Sequence, residues 1–187
     1  MPTSTAHTTI TLHGVFLEVF GLGILLMGNS GIGKSEIALG LISRGHRLIA
    51  DDAVIVSVNL EQGLTGACPE LLKDFLEVRG LGILNIKNMF GDTAVKEQAP
   101  LDLIIKFIDI NSSVVIDSNR LLGIHGEQTI LNIQIPEVTI PIGPGRNIAV
   151  LIESAVRNHK SKLKGYNAAE DFIQRQETYL KSRSNED

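Results

Sequence analysis

The chain has 187 residues, a length typical of one compact domain, and 43% of them are hydrophobic, which is enough to bury a core. Aromatic residues make up only 4% and tryptophan is absent, so the core is expected to be aliphatic. Lysine and arginine together number 17 against 21 acidic residues, and the net charge of −4 argues against non-specific nucleic-acid binding as the main function.

The cysteine count and the first residues bear on location. Cys68 is the only cysteine, which excludes an intramolecular disulfide and is typical of a reducing compartment. The opening residues lack the basic segment and apolar stretch of a signal peptide, and no apolar run approaches the roughly 20 residues that span a bilayer. We therefore expect a soluble cytoplasmic protein with no membrane partner.

The first half of the chain predicts strands around one helix. Strands are predicted over residues 9–19 with a break at His13-Gly14, then over 24–27, 47–50 and 54–60. The run 24–27 is wholly apolar, as expected of a strand buried on both faces. A helix is predicted over 34–44, because residues 37, 38, 41 and 42 are apolar and share one face.

The second half mixes further strands with helices. Residues 61–65 are predicted as a turn, and Pro69 as the first residue of a helix that buries Leu71, Leu72, Phe75 and Leu76. Strands follow over 101–110, 113–117, 128–135 and 138–142. Helices are predicted from residue 148 and after Asn167, where Glu170 completes a pattern that resembles a capping box.

No repeat, low-complexity tract or linker interrupts the chain. The prediction is therefore a single α/β domain over 1–187, with helices at its C-terminal end and a frayed tail over 183–187.

The motif that carries most chemical information is a phosphate-binding loop. Its residues match G-x-x-x-x-G-K-[ST] in full: Gly28, Asn29, Ser30, Gly31, Ile32, Gly33, Lys34 and Ser35. Glycines let backbone N–H groups converge on phosphate oxygens at a helix N-terminus. Lys34 supplies a cation for the outer phosphates, and the Ser35 hydroxyl can bind magnesium. A glycine-rich turn with a stray lysine is the alternative, and the strand before and helix after argue against it.

Two carboxylates follow the next predicted strand. Asp51 and Asp52 come at its end, where open α/β sheets place ligand-binding groups. One could hold a metal and the other could serve as a base, while a simple polar strand end remains the alternative.

Four weaker signals allow functional and plain interpretations. Glu77 and Arg79, followed by Gly80 and Gly82, can bring opposite charges to a phosphate and its metal, or form a solvated helix end. His13 by itself reads as a core or edge histidine, and Arg120 as a surface arginine. The segment 143–147, Gly-Pro-Gly-Arg-Asn, precedes a helix, so Arg146 and the backbone can bind an anion or form an ordinary turn.

Taken together, these segments resemble the HPr kinase/phosphorylase family. The matching strings are HGV (13–15), GNSGIGKSE (28–36), SRGHRLIADD (43–52), EVRGLGILNI (77–86) and IPEVTIPIGPGRN (135–147). Their order and spacing match the family from about residue 9 to 160. The phosphate loop is shared by many superfamilies, whereas EVRGLG after ADD is far more specific.

The resemblance implies a bifunctional bacterial enzyme of the sugar phosphotransferase system. Such an enzyme phosphorylates a seryl hydroxyl of the phosphocarrier protein HPr with ATP or pyrophosphate. It removes that phosphate by phosphorolysis, with inorganic phosphate as attacker and pyrophosphate as product. The implied fold is a P-loop core related to phosphoenolpyruvate carboxykinase, and the implied assembly is a homohexamer.

The resemblance also assigns roles to residues. Lys34 and the loop backbone over 28–35 hold the phosphates, with Ser35 and Glu77 on Mg²⁺. Asp52 takes the seryl proton and returns it in phosphorolysis, and Asp51 is close enough to share that role. The remaining catalytic residues implied are His13, Arg79, Arg120 and Arg146. Residues 76–85 serve both activities, and 142–147 chiefly phosphorolysis.

The chain departs from the family in three places. Asn29 replaces an aspartate found in many members, which backbone phosphate contacts should tolerate. Gly143 replaces an arginine found in some members, so phosphorolysis is less firmly expected than kinase activity. The family's usual N-terminal domain is also expected to be absent, through truncation or as a short natural form.

Two other functions share the phosphate loop. One is a small-molecule kinase on the same fold, and the other is a nucleotide-dependent switch or binding module. A kinase needs a base beside the transferred phosphate, which Asp51-Asp52 offers, and no guanine-specifying motif favours a GTPase switch.

Overall fold

A computed structural model describes residues 9–59, 63–116 and 121–184. The strands over these residues are β1 Thr9–His13, β2 Val15–Val19, β3 Leu22–Met27, β4 Arg47–Ala50, β5 Ala53–Asn59, β6 Gly63–Ala67, β7 Phe75–Val78, β8 Gly82–Asn85, β9 Gln98–Pro100, β10 Leu103–Asp109, β11 Ile124–Ile130 and β12 Ile133–Ile142. The helices are α1 Lys34–Ile42, α2 Ile86–Phe90, α3 Ser113–Ile116, α4 Ile148–Leu163 and α5 Ala168–Ser184. The predicted α/β class is confirmed.

The central sheet has six strands in the order β11-β12-β10-β3-β2-β4. β3, β10 and β12 run parallel, while β2, β4 and β11 are antiparallel to their neighbours. A second, antiparallel sheet has the order β1-β5-β6-β9, and β7 and β8 form a separate hairpin. Since the parallel strands end at one edge, the loop after β3 and the segment after β12 lie at the same edge of the central sheet.

The central sheet has apolar residues on both faces, which explains why it lies between the second sheet and the helices. One core packs the sheet against α1, α4 and the β7–β8 hairpin, and includes Leu17, Leu26, Leu41 and Ile152. A second core fills the space between the two sheets, with Phe16 near its centre. β2 is buried along its whole length because alternate residues enter opposite cores, which gives a layer order of sheet, sheet and helices.

Helix α4 is fixed to the rest of the domain by charge as well as by packing. Glu153 accepts hydrogen bonds from Arg44 at 2.6 and 2.9 Å and lies 2.9 Å from Nε2 of the buried His46. The Arg44 hydrogen bonds, opposed by burial, hold the pKa of Glu153 down at about 2. The Arg157 guanidinium stacks 3.9 Å from the ring centroid of Phe20. These contacts join α4 to the end of α1 and to the β2–β3 turn.

The predicted break in the first strand is confirmed, and it separates β1 from β2, which belong to different sheets. The strands at 24–27, 47–50 and 54–60 and the helix at 34–44 are confirmed to within a few residues in their described parts. The helices from residue 148 and after Asn167 are also confirmed. The predicted turn over 61–65 lies partly outside the described residues, and Gly63–Ala67 forms β6.

Three predicted elements are wrong. The strand expected over 128–135 spans the turn at Leu131-Asn132 that joins β11 to β12, and β12 continues through the break expected before residue 138. The helix expected from Pro69 is a single 3₁₀ turn at Glu70–Leu72 followed by β7, since only Leu76 and Val78 alternate inward. The strand expected over 113–117 is the short helix α3, as far as the residues there are described. Asn167 does not complete a capping box, because its Oδ1 accepts from the Ala169 N–H while its Nδ2 donates to Glu170.

The last helix makes few contacts with the rest of the domain. Along α5 the large apolar side chains Phe172 and Tyr179 are exposed. No described helix has the length and apolar character to cross a membrane.

Candidate functional site

The phosphate-loop motif connects β3 to α1, as predicted. Gly31 and Gly33 have φ values of 81° and 93°, left-handed conformations that glycine adopts without steric cost. Gly33 is the N-cap of α1 and makes no side-chain cap, so the N–H groups of the first helical turn point towards the cavity without a capping side chain in front of them. An anion at this position would be bound by backbone N–H groups and by the helix dipole.

Two carbonyl groups of the loop hold the Lys34 side chain. Its side chain is 8% exposed, and Nζ donates to the carbonyl oxygens of Gly28 at 3.0 Å and Asn29 at 3.3 Å. A buried ammonium with carbonyl partners alone lacks a counter-charge. The phosphate groups of a nucleotide would supply that charge.

Asp51 joins three segments around the loop. Its Oδ1 accepts from the Ser35 hydroxyl at 3.2 Å, and its Oδ2 accepts from the Glu77 backbone N–H at 2.9 Å. Burial raises the pKa of Asp51, and the Glu77 and Ser35 hydrogen bonds oppose that rise. Because its oxygens are directed to these partners, the carboxylate positions the loop and the β7–β8 hairpin relative to each other.

Asp52 has a different environment from its neighbour. Its φ of 66° turns the backbone, and its side chain is 78% exposed at the mouth of the cavity. Nδ1 of His13 lies 3.0 Å from the Asp52 carbonyl oxygen and 3.1 Å from Oδ1. Both neighbours accept hydrogen bonds, so we assign the proton of the His13 ring to Nδ1. His13 therefore orients a carboxylate whose other oxygen faces solvent, which makes Asp52 the better placed of the two aspartates to act as a base.

The β7–β8 hairpin brings the third predicted pair to the same place. Leu76 and Val78 point into the core, so Glu77 and Arg79 are directed outward on the cavity side. The Arg79 guanidinium covers the phosphate loop: a Cβ built on Gly31 would stand 3.4 Å from its Nη2. The hairpin, and not a helix end, thus delivers one anion and one cation to the site.

Together these residues enclose a cavity of about 310 Å³. Its lining residues are His13, Val15, Ser30, Gly31, Gly33, Lys34, Ser35, Glu36, Asp51, Asp52, Glu77 and Arg79. Ten predicted site residues, from four separate segments of the chain, thus border one cavity. The cavity lies at the carboxyl edge of the parallel strands, where open α/β sheets bind ligands.

Among the described residues predicted for the site, Arg146 and the loop residues Gly28, Asn29 and Ile32 do not line this cavity. Arg146 donates from Nη1 to the Pro141 carbonyl at 2.6 Å and lines a neighbouring groove between α1 and the start of α4. Glu36 borders both the cavity and that groove. Arg120 lies outside the described residues. Gly143 packs against Ile110, and a Cβ there would come within 2.8 Å of Ile110 Cγ2.

Sequence reasoning gave no role to Val15 or Glu36. The Glu36 carboxylate lies near the loop, with Oε2 3.5 Å from the place of a Cβ on Gly33. Its position directly after the motif, in the first turn of α1, was the available signal. Val15 follows His13-Gly14 and carries no chemical signal of its own.

The donor atoms at the site fit a magnesium ion that is shared with phosphates. The Ser35 hydroxyl and the carboxylates of Asp51 and Glu77 border one cavity and are hard oxygen donors. In the described parts of the chain, no three histidine, cysteine or carboxylate residues cluster closely enough to cage a metal by themselves. Mg²⁺ in phosphoryl-transfer sites is typically held by one or two carboxylates, substrate phosphates and water, which is the pattern available here.

Comparison with known proteins gives a consistent result. The family model described as "HPr Serine kinase C-terminal domain" matches residues 4–176. The HPr kinase/phosphorylase of Chromobacterium violaceum is 48% identical over 174 residues, which are 93% of this chain and 55% of that protein. The enzyme of that name from Neisseria meningitidis is 48% identical over 177 residues, 94% of this chain and 55% of that protein.

A solved structure has the same fold. The Hpr(Ser) kinase/phosphatase from Coxiella burnetii superposes with a TM-score of 0.79 at 36% identity, covering 87% of this chain and 98% of that one. The chain spans just over half the length of the curated relatives that it matches.

Proposed function

Because the chain belongs to the family of the HPr serine kinase C-terminal domain, we propose that it is the catalytic part of a bifunctional HPr serine kinase and phosphorylase. It would phosphorylate a seryl residue of the phosphocarrier protein HPr with ATP or pyrophosphate, and dephosphorylate it by phosphorolysis. The observation that carries the proposal is the exposed Asp52 carboxylate, oriented by His13, in the same cavity as Lys34 and the phosphate loop.

In the forward direction the seryl oxygen attacks the terminal phosphorus of the donor. The bond from that phosphorus to the bridging oxygen breaks, and the electron pair leaves with ADP, or with inorganic phosphate when pyrophosphate is the donor. Asp52 accepts the seryl proton, and His13 keeps the carboxylate directed at it. Lys34 and the loop amides hold the phosphates, and Arg79 approaches from the hairpin to offset charge on the transferred group. The catalytic contribution is then mainly positioning and charge stabilisation.

We assign magnesium binding to Ser35 and Glu77. When bound there, Mg²⁺ would neutralise phosphate charge and fix the donor in line with the serine. The buried Asp51 would either bind this ion directly or orient the Ser35 hydroxyl that binds it.

In the reverse direction an oxygen of inorganic phosphate attacks the phosphorus of phosphoserine. The bond to the seryl oxygen breaks, Asp52 returns the proton to that oxygen, and pyrophosphate is the product. We place Arg146 on the attacking phosphate, with support from the groove that shares Glu36 with the cavity. Arg120 would complete the site. Because residue 143 is a glycine, Arg146 is the one basic residue of the segment 142–147, and we assign the anion contact there to it.

We further propose a P-loop core related to phosphoenolpyruvate carboxykinase, assembly into a homohexamer and a cytoplasmic location. The strand–loop–helix unit from β3 through α1 supports the first. The exposed aromatic side chains on α5 support assembly, because an amphipathic helix with so few contacts in its own domain has apolar surface to bury against another copy.

The proposal is tested by incubating the chain with ATP, magnesium and HPr, and measuring the intact mass of HPr. We expect HPr to gain one phosphoryl group and to lose it again on addition of inorganic phosphate, with release of pyrophosphate. Lys34→Met is the matched control and should give neither change. ATP hydrolysis without any change in the mass of HPr would favour a nucleotide-dependent switch and contradict the kinase proposal.

A further inference from the structure

A second concave surface lies far from the phosphate loop. A groove of about 560 Å³ separates α4 from the β11–β12 hairpin, and none of its lining residues borders the phosphate-loop cavity. Its apolar side is formed by Leu122, Pro136, Val138, Ala155 and Leu163. Its basic side is formed by His125, His159 and Lys162.

The groove lies towards the opposite edge of the central sheet. α4 begins after Asn147 near the phosphate-loop edge, and His159 is twelve residues further on, about 18 Å along the helix axis. Asp102, which precedes β10, is close enough to His159 to oppose the effect of burial on its pKa. Ligands in this groove and in the phosphate-loop cavity would therefore not touch each other.

On the basic side of the groove, Lys162 and His125 contact each other. Lys162 Nζ lies 3.5 Å from Nε2 of His125, so the ammonium donates to an imidazole nitrogen and not to a carboxylate. Among the described residues, neither Lys162 nor His125 takes part in an ion pair. A neutral imidazole is the only form of His125 that can accept this hydrogen bond.

Other charged groups around the groove have different partners or locations. The charged residues that face His125 or His159 are Asp102, Glu127, Glu137 and Lys162, and His125 also faces His159. Glu137 lies 3.8 Å from Lys106, and Asp102 accepts the Gly23 N–H at 2.7 Å. Glu127 is exposed on β11.

We propose that this groove binds a small amphipathic anion, with its headgroup against the basic side and a short apolar chain along Leu122, Val138 and Leu163. A carboxylate or a phosphate monoester has the required headgroup. A basic side next to an apolar side is typical of ligand pockets. In such pockets a few polar groups fix the orientation of the ligand, and apolar contacts supply buried surface area. Lys162 and the two histidines would each gain a charge-assisted contact with the anion.

Binding is coupled to proton uptake. Burial lowers the pKa of both His125 and His159 below the ordinary histidine value. The nearby Lys162 ammonium adds to this effect, and Asp102 opposes it at His159. An anion between them favours the protonated rings. Affinity should therefore rise as the pH falls from about 8 to about 6.

The experiment follows the histidine ring signals of the full chain by NMR while sodium hexanoate is added. We expect saturable shifts of the His125 and His159 signals and none of His13, which reports on the phosphate-loop cavity. Lys162→Gln should weaken binding about tenfold or more. Lys164→Gln, an exposed lysine two residues away that does not line the groove, is the matched control and should bind like the parent.

Three results would overturn the proposal. One is the absence of a saturable shift, and another is equal affinity in Lys162→Gln and the parent. Should Lys162→Gln fail to fold, His125→Gln carries the same expectation. The third result would come from a separate titration with inorganic phosphate, which has an anionic headgroup and no apolar chain. Phosphate binding as tightly as hexanoate would contradict the apolar part of the site.

Discussion

The Glu77 backbone N–H donates to Asp51 Oδ2 at 2.9 Å, which fastens the β7–β8 hairpin to the end of β4. The other oxygen of the same carboxylate accepts from Ser35. One buried side chain therefore sets the spacing between the phosphate loop and the strand that carries Glu77. This role depends on hydrogen-bond acceptance, whereas a role towards magnesium depends on charge.

The two roles are separated by replacing Asp51. Burial raises its pKa, so its ionised form is less favourable in the folded than in the unfolded chain. Stability from this group is therefore greatest at low pH and falls as the pH rises towards neutrality. Asp51→Asn keeps an acceptor and removes the charge, so the free protein should melt at the same or a higher temperature near neutral pH. The rise in melting temperature caused by magnesium and nucleotide should shrink.

Asp51→Ala provides the comparison, because it also removes the acceptor for the Glu77 N–H. We expect it to lower the free energy of unfolding by about 1–3 kcal/mol, as for a buried donor left unpaired. Calorimetry of both variants at two pH values checks this. Equal destabilisation by the two substitutions would show that charge, and not acceptance, holds the hairpin.

Lys34→Met should abolish nucleotide-dependent stabilisation. In the parent, nucleotide at one hundred times its dissociation constant should add about 2.7 kcal/mol to the free energy of unfolding. Methionine keeps most of the buried stem of Lys34 and leaves two carbonyl oxygens, of Gly28 and Asn29, without this donor. A nucleotide-induced shift in melting temperature equal to that of the parent would remove the phosphate loop from the proposed site.

Asp52→Asn should bind nucleotide like the parent and transfer phosphate to serine about 10²- to 10⁴-fold more slowly, as expected for loss of a general base. Binding and single-turnover rates are measured on the same preparation. Asp92→Asn, an exposed aspartate paired with Lys87, is the control and should keep the parental rate. Parental turnover in Asp52→Asn would leave Asp51 as the next candidate.

Arg146→Ala should slow phosphorolysis more than the kinase reaction. Loss of one charge-assisted contact corresponds to roughly a ten- to hundredfold decrease in rate. Pyrophosphate release reports one direction and the mass of HPr the other, and Arg175→Ala on α5 serves as the control. Equal losses in both directions would mean that the hydrogen bond from Arg146 to Pro141 supports the fold of the segment and that the arginine has no separate role with phosphate.

Glu153→Gln should remove part of the acid sensitivity of the fold. The folded pKa of about 2 lies below the ordinary value of 4.5, so this group stabilises the protein above that ordinary value and ceases to do so as the pH falls towards 2. Allowing for the half-exposed Arg44, the contribution is about 2 kcal/mol, or about 4–8 °C in melting temperature near pH 7. Glu177→Gln, an exposed change on α5, should have little effect. A melting temperature of Glu153→Gln unchanged from the parent at neutral pH would refute the contribution.

The phosphate loop and its flanking elements could be predicted because each has a local cause. The apolar run of β3, the glycines and the periodicity of α1 are read directly from neighbouring residues. The β7–β8 hairpin could not be predicted this way. Leu71, Leu72, Phe75 and Leu76 have helical spacing, but the chain there is held extended by pairing with β8 and by the distant carboxylate of Asp51.

The different environments of the two aspartates could not be predicted from the sequence either. Asp51 and Asp52 are identical in type and adjacent, so residue identity does not distinguish them. The difference comes from the left-handed backbone of Asp52, which directs one side chain inward and the next outward. Likewise, the contact between Gly143 and Ile110 depends on how two loops pack, which no local pattern encodes.

The chain passes from one sheet to the other twice at neighbouring points, between β1 and β2 and between β4 and β5, and the Gly14 N–H joins these crossings by donating to the Asp52 carbonyl at 3.2 Å. His13 and Asp52 therefore lie where the chain connects the two sheets. The phosphate loop, by contrast, follows β3, a strand of the central sheet. A small shift of the four-stranded sheet would move Asp52, the proposed base, relative to a bound phosphate and leave the phosphate loop in place. The proposed proton transfer and the proposed nucleotide binding therefore depend on different parts of the fold. Substitutions that alter the packing between the two sheets should lower turnover more than they lower nucleotide affinity.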